Sequence, residues 1–202
     1  MRITAIKQQV KRQGRYSVFV EGKYSFSLSE SALLDSKLRN GQEVTEAEVW
    51  ELKQASVDDK VYNNALAYAI VRPRSIWEME QYLQRKKASP GLTQTILNKL
   101  GNIGILDDEK FARSWVANRR LLKATSRRKL LQELRAKRVE SHIAEKALGE
   151  DETDEQDVLL ELITRKRKQT RYKDDQKLMQ YLAGQGFNYG DIKAALEDSG
   201  SS

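Results

Sequence analysis

The stretch LDDEKFARSWVANRR, residues 106–120, decides how this chain is read. It carries three acids near its start, places Phe111 and Trp115 four residues apart, and closes on Arg119 and Arg120. Phe111, Ala112, Trp115, Val116 and Leu122 recur at the spacing of one helix face, which predicts an amphipathic helix over 108–122 with that stripe inward. Asp107 or Asp108 can cap it, and Glu109 sits where the helix dipole favours negative charge. Arg113, Ala117 and Arg120 fall on the opposite face, its ends about 20° apart. The dipole accounts for bases late in that helix. It does not account for Lys123, Arg127, Arg128 and Lys129, which open the next turn and helix, where positive charge is disfavoured.

Working outward, the segment is the first of three helices expected at 108–122, 127–137 and 140–148, and the same syntax follows at 154–169, 175–184 and 189–197. An offset of 48 residues (182 minus 134) pairs Leu134 with Leu182, Val139 with Phe187, Ala144 with Ile192, Ala147 with Ala195, and Leu148 with Leu196. It also carries Arg119 to Arg167, Arg120 to Lys168 and Lys123 to Arg171. Packing does not ask for charge at those positions, so this match is the better sign of a true repeat. Upstream, a helix ends at Arg72 because Pro73 cannot continue it. Ser75 and Glu78 form a capping box before Ile76, Met79, Tyr82 and Leu83, and Ser89-Pro90 opens a helix to about Gly101. This first unit fits more loosely: Leu83 matches Leu134, but QRKKASPG reads as a longer connection before Leu92.

Residues 1–28 read differently. RYSVFV and KYSFSL alternate around Glu21-Gly22, a two-residue hairpin signal, and Gln13-Gly14 offers an earlier turn. Ser29 can cap a short helix through Leu38, stopped by Asn40-Gly41, and Thr45 with Glu48 opens another to about Ala55. The expected fold is therefore mainly α: three tandem three-helix repeats in an elongated array able to curve, behind a small N-terminal α/β cap that contains a β-hairpin. The expected boundaries are 1–56 for the cap and 57–105, 106–150 and 151–202 for the repeats.

Composition sets the bounds on chemistry. The 202 residues carry a formal charge of +7, 32% are charged, and there is no cysteine and one histidine. Disulfides, thiolate metal sites and histidine clusters are thereby excluded, and no cofactor or metal is expected. The N-terminal segment MRITAIKQQVKRQG has no signal-like apolar block and no window approaches a membrane span, so the reading is a soluble cytoplasmic protein without a membrane partner. The charge is concentrated: residues 110–138 hold eleven bases against Glu133 alone, and RKRKQTR recurs at 165–171.

At this point the residues resemble a family. LDDEKFARSWVANRR with LLQELRAKRV and IAEKAL is similar to the second repeat of the RecX family, bacterial regulators of the RecA recombinase, and LMQYLAGQGFNYGDIKAAL is similar to the third. The resemblance spans roughly 57–198, and the β-rich cap resembles extensions of some members only. Two departures stand out. Ser126-Arg127 replaces a frequent Gly-Pro, and Lys137-Arg138-Val139 replaces a frequent Lys-Gly pair, although Gln185-Gly186-Phe187 keeps the glycine. A left-handed cap at Arg138 is less favourable than at glycine, so a different turn is expected there. The resemblance implies a non-enzymatic modulator that binds the RecA–DNA filament along its groove, contacting single-stranded DNA within it. Suppression of the recombinase's ATPase and strand exchange is implied with it.

The candidate binding residues are Arg113, Arg119, Arg120, Lys123, Arg127, Arg128, Arg135, Lys137, Arg138, Arg167, Lys168 and Arg171. A charged helix face is commonly just solvated; recurrence and the scarcity of acids favour binding here. Phe111, Trp115, Trp50 and Trp77 read as core, His142 beside Ile143 lacks the companion ligands a metal or catalytic role needs, and Asp107-Asp108 and Asp174-Asp175 read as helix caps rather than paired catalytic acids. DETDEQD at 151–157 is an acidic helix start, with masking of the basic face as the competing reading. The alternatives to a filament regulator are a non-specific or helix-turn-helix DNA-binding protein and a repeat scaffold for an acidic partner. Glu140, Glu145 and Asp191 on the would-be recognition helices argue against base readout. No phosphate loop or catalytic set speaks for an enzyme. Weak direct DNA binding by a monomer is expected.

Overall fold

The computed structural model describes residues 1–200; Ser201 and Ser202, the end of the third expected repeat, lie outside the described residues. Three strands, β1 (Ile3–Gln9), β2 (Arg12–Val20) and β3 (Lys23–Ser29), form an antiparallel meander, and among the described residues one 3-10 turn (Thr170–Tyr172) and ten α-helices follow. They are α1 (Glu30–Ser36), α2 (Glu46–Ile70), α3 (Ile76–Arg85), α4 (Pro90–Asn102), α5 (Asp108–Lys123), α6 (Arg127–Ala136), α7 (Ser141–Gly149), α8 (Glu155–Arg167), α9 (Asp175–Gly184) and α10 (Tyr189–Gly200). The contacts divide into two compact units: 1–72 with 80–102, and 73–79 with residue 103 onward.

In the first unit, Glu21 and Gly22 both take positive φ (48° and 75°), the two-residue turn that β2 and β3 require. Gln13-Gly14 is not a turn. β1 and β2 reverse at Val10-Lys11, and Gly14, at φ 73°, lies within β2 where the register jumps from Gln9↔Arg12 to Gln8↔Tyr16. Glycine permits that bulge because it carries no side chain to strain at positive φ. Ile3, Val18, Phe26 and Leu28 form one buried face of the sheet with Val44 and Val49.

Two short helices were expected between Thr45 and Arg72, yet one helix of 25 residues runs through. Neither glycine nor proline interrupts 46–70, and Asp59, one of the two acids that resemble a helix start, serves another purpose. Asp59 accepts from Arg15 Nη1 at 3.1 Å and from the Ser29 amide at 2.9 Å, while the Ser56 hydroxyl donates to the Ser27 carbonyl at 2.6 Å. The middle of α2 is thus tied to the sheet. Trp50, expected in the core, lies on the outer side of α2, 63% exposed.

The repeat periodicity is visible in three sets of equivalent positions. Met79, Leu130 and Leu178 are fully buried, as are Leu83, Leu134 and Leu182, with spacings of 51 and 48 residues. Lys87, Arg138 and Gly186 follow at the same spacings, and all take positive φ (58°, 58° and 93°). Each sits just past a helix end where the next amide returns to the leucine carbonyl: Ala88 to Leu83, Val139 to Leu134 and Phe187 to Leu182, at 3.1 to 3.3 Å. This is the Schellman closure. The connection in the first repeat is therefore no longer than the others, and the turn at Arg138 is not different. Both expectations fail for one reason: the hydrogen-bond closure is preserved although only one of the three positions is glycine.

Candidate nucleic-acid and protein interface

The candidate residues separate by what holds them. α5 begins as its sequence suggests: Asp107 accepts from the amides of Glu109 and Lys110 at 2.9 and 3.1 Å. These amide donations hold the Asp107 carboxyl below the ordinary aspartate range, with the Lys110 amide as the largest cause. Asp108 does something else, accepting from the Ile76 amide at the start of α3 at 2.8 Å. The inward face of α5 packs Phe111, Ala112 and Val116 on Leu130, Leu134 and Val139.

Arg119 is engaged. Its Nε donates to Glu133 at 2.7 Å, the same carboxylate oxygen accepts from Trp115 Nε1 at 2.8 Å, and the guanidinium carbon lies 4.5 Å from the Trp115 ring centre. Lys137 approaches the same ring at 5.4 Å and donates to Glu78 at 2.7 Å. Trp115 is accordingly half-buried, a platform between two cations. Arg113 reaches Glu109 and Glu150 at 3.4 and 3.7 Å.

Arg120 is deeper still. With 8% of its side chain exposed, it donates to Asp151 at 2.8 Å, to Glu155 at 3.1 Å and to the Thr125 carbonyl at 2.7 Å. Arg127 continues this joint: its amide donates to Glu155 at 2.8 Å and its guanidinium to the Leu148 carbonyl at 2.6 Å. α6 has no acid in its own first turn, and Glu155 supplies one from α8. Burial alone would raise the Asp151 carboxyl, but the Thr153 hydroxyl and the Arg120 guanidinium outweigh it and hold that group below the usual range. The Ser126 hydroxyl accepts from the Lys129 amide at 3.2 Å and donates to the Gln185 carbonyl at 2.6 Å. A Cβ added at Gly186 would meet that hydroxyl at 2.6 Å, so this glycine answers a close approach as well as a positive φ. Arg167 folds back onto Asp175 and the Tyr172 and Lys173 carbonyls.

Packing therefore does ask for charge at 119, 120 and 167, and the recurrence of 119 at 167 has a structural cause on both sides, whereas Lys168, the counterpart of Arg120, does not share its role. Lys123, Arg128, Arg135, Arg138 and Lys168 are different: exposed, and without a side-chain hydrogen bond or ion pair among the described residues. Arg171 rests on the Tyr172 ring at 5.7 Å. Arg128, Gln132 and Arg135 form the outer stripe of α6, opposite Leu130 and Leu134, and Arg138 follows at the cap. Sequence pattern does not single out Leu121 and Leu122, which stand 81% and 68% exposed beside Lys123; the helical stripe predicts Leu122 inward, and the structure turns it outward. Among the described residues no group of three or more acidic, histidine or cysteine side chains could hold a metal, and no helix is long and apolar enough to cross a membrane.

Fold and site together define a tandem three-helix repeat protein bearing a stripe of cations that are unpaired among the described residues. Residues 1–45 match the model of the regulatory protein RecX N-terminal domain, 107–148 the RecX second three-helix domain, and 152–196 the RecX third three-helix domain. A regulatory protein RecX of Listeria monocytogenes is 30% identical over 206 residues, covering 100% of this chain and 77% of the relative. One of Bacillus subtilis is 29% identical over 200 residues, covering 96% and 76%. The chain belongs to the RecX family of regulatory proteins. A crystal structure of a regulatory protein RecX shares its fold at a TM-score of 0.73 and 25% identity, over 97% of this chain and 98% of the other. That of RecX from Lactobacillus salivarius does so at 0.59 and 24%, over 71% and 97%. The N-terminal segment, which in sequence resembles extensions of some members only, matches a family model of its own over residues 1–45.

Proposed function

We propose that this protein is a non-enzymatic modulator of the RecA recombinase, binding the RecA–DNA filament and lowering its ATP hydrolysis and strand exchange. The observation that carries the reading, beyond the regulatory name of its relatives, is the stripe of Arg128, Arg135 and Arg138. Among the described residues these cations have no intramolecular carboxylate, and Arg128 and Arg138 stand where local preference disfavours them. Arg128 opens a helix whose dipole repels it, and Arg138 occupies a left-handed position at φ 58° that glycine fills in the next repeat. Side chains held against local preference, with no partner inside the fold, are suited to a ligand outside it.

A DNA filament offers phosphates for those arginines and protein surface for Leu121 and Leu122. Phosphate contacts made this way position the protein without reading sequence. The exposed Glu140 at the N-cap of α7, Glu145 on α7 and Asp191 on α10 make those helices poor readers of a major groove. The test is single-strand-dependent ATP hydrolysis by RecA with this protein added at or below one copy per recombinase subunit. Suppression supports the proposal; full hydrolysis at saturating protein overturns it, and tight sequence-selective duplex binding would favour a DNA-binding regulator instead.

A further inference from the structure

Far along the chain from the cationic stripe, the first unit contains an open cleft of about 820 Å³ between α1, α2 and α4. Its floor is apolar, with Leu38, Leu52 and Leu92 half-buried over the buried Val44 and Ile96. Its rim is acidic, in a chain whose net charge is +7. Two of the rim carboxylates are already used: Asp59 ties α2 to the sheet, and Glu48 accepts from the Thr45 amide at 2.6 Å. Asp35, Glu51 and Asp58 have no partner among the described residues and are exposed. Lys99 is the one base lining the cleft, and it lies over the Tyr62 ring, 5.5 Å from its centre.

We infer that this cleft is a docking site for a cationic amphipathic segment of a partner protein. Nucleic acid is repelled by such a rim, and a purely apolar peptide leaves three carboxylates unanswered. Glu51 and Asp58 are two helical turns apart on α2, about 10 Å along the axis. A helical ligand with bases at the same seven-residue spacing answers both, while its apolar row covers Leu52 and Leu92. The volume is that of a site burying a few side chains rather than a whole helix face. The inference does not rest on the recombinase proposal, because the cleft lies entirely in residues 31–99 and uses none of the cations assigned above.

The test uses the full chain and a fluorescent designed helix of leucine, alanine and lysine, with lysines seven residues apart beside a leucine row. Anisotropy is read against wild type, Glu51→Gln/Asp58→Asn, Leu92→Ser, and a control with Glu30→Gln/Glu80→Gln outside the cleft. The expected result is saturable binding, weakened about fivefold or more by the cleft double variant and about tenfold by Leu92→Ser. The control binds as wild type, and the same peptide with glutamate for lysine does not bind. Because Leu92→Ser can disturb the fold, the surface double variant decides. Equal affinity of the double variant, an equal loss in the control, or no binding to wild type overturns the inference. So does self-association of the chain that the double variant abolishes, which assigns the cleft to a second copy.

Discussion

Arg120 donates to Asp151 at 2.8 Å with only 8% and 11% of the two side chains exposed, so this arginine holds α5 to the connection that leads into α8. The contact divides the basic cluster into cations that build the joint and cations that remain available. Arg120→Ala leaves Asp151 and Glu155 without their guanidinium. Removing one partner of a mostly buried pair destabilises by about 3 kcal/mol. For a chain of this size the melting temperature should fall by roughly 6–12 °C. A melt within a degree or two of wild type would show that the pair does not hold the joint.

The same pair sets an acid limit. Because the Asp151 carboxyl is lowered in the folded state, it contributes stability above the ordinary aspartate value near about 4. That contribution is lost as pH falls through its folded value. Asp151→Asn should lower stability at pH 7 and show a shallower further loss between about pH 4 and pH 2. An acid limb as steep as that of wild type would assign it to other carboxylates.

Arg138 should show opposed effects on stability and binding. At φ 58° a glycine relieves the left-handed strain, so Arg138→Gly is expected to stabilise the fold by about 1 kcal/mol. It should also weaken binding to the recombinase filament. Paired melting and filament-binding measurements check both signs; stabilisation without loss of binding would remove Arg138 from the interface.

Substitution at Leu121 and Leu122 tests protein contact separately from phosphate contact. Both are largely exposed, so replacing them with serine should change stability by less than about 0.5 kcal/mol. Affinity for RecA filaments should drop at least about tenfold, while affinity for free single strands stays constant. A parallel loss on both ligands would place these leucines elsewhere in the account.

How much of this was legible without coordinates depends on the physics behind each feature. Caps at Ser75, Asp107 and Asp174 follow from local rules, and the 48-residue offset survives because buried leucines at 130, 134, 178 and 182 demand it. The continuous α2 was not legible, since Asp59 looks like a helix start and its use by Arg15 and Ser29 is tertiary. The division of the arginines was hidden for the same reason. Whether Arg120 faces solvent or Asp151 depends on a carboxylate 31 residues away. Charge recurrence alone gave equal standing to cations that build the fold and cations that do not.

The most direct measurement compares wild type with Arg128→Gln/Arg135→Gln/Arg138→Gln for binding to RecA filaments on single-stranded DNA across a salt series. The account predicts an unchanged or slightly raised melting temperature, a loss of affinity of at least about tenfold near 0.1 M salt, and a shallower salt dependence. A triple variant that binds as tightly as wild type with the same salt slope would contradict it.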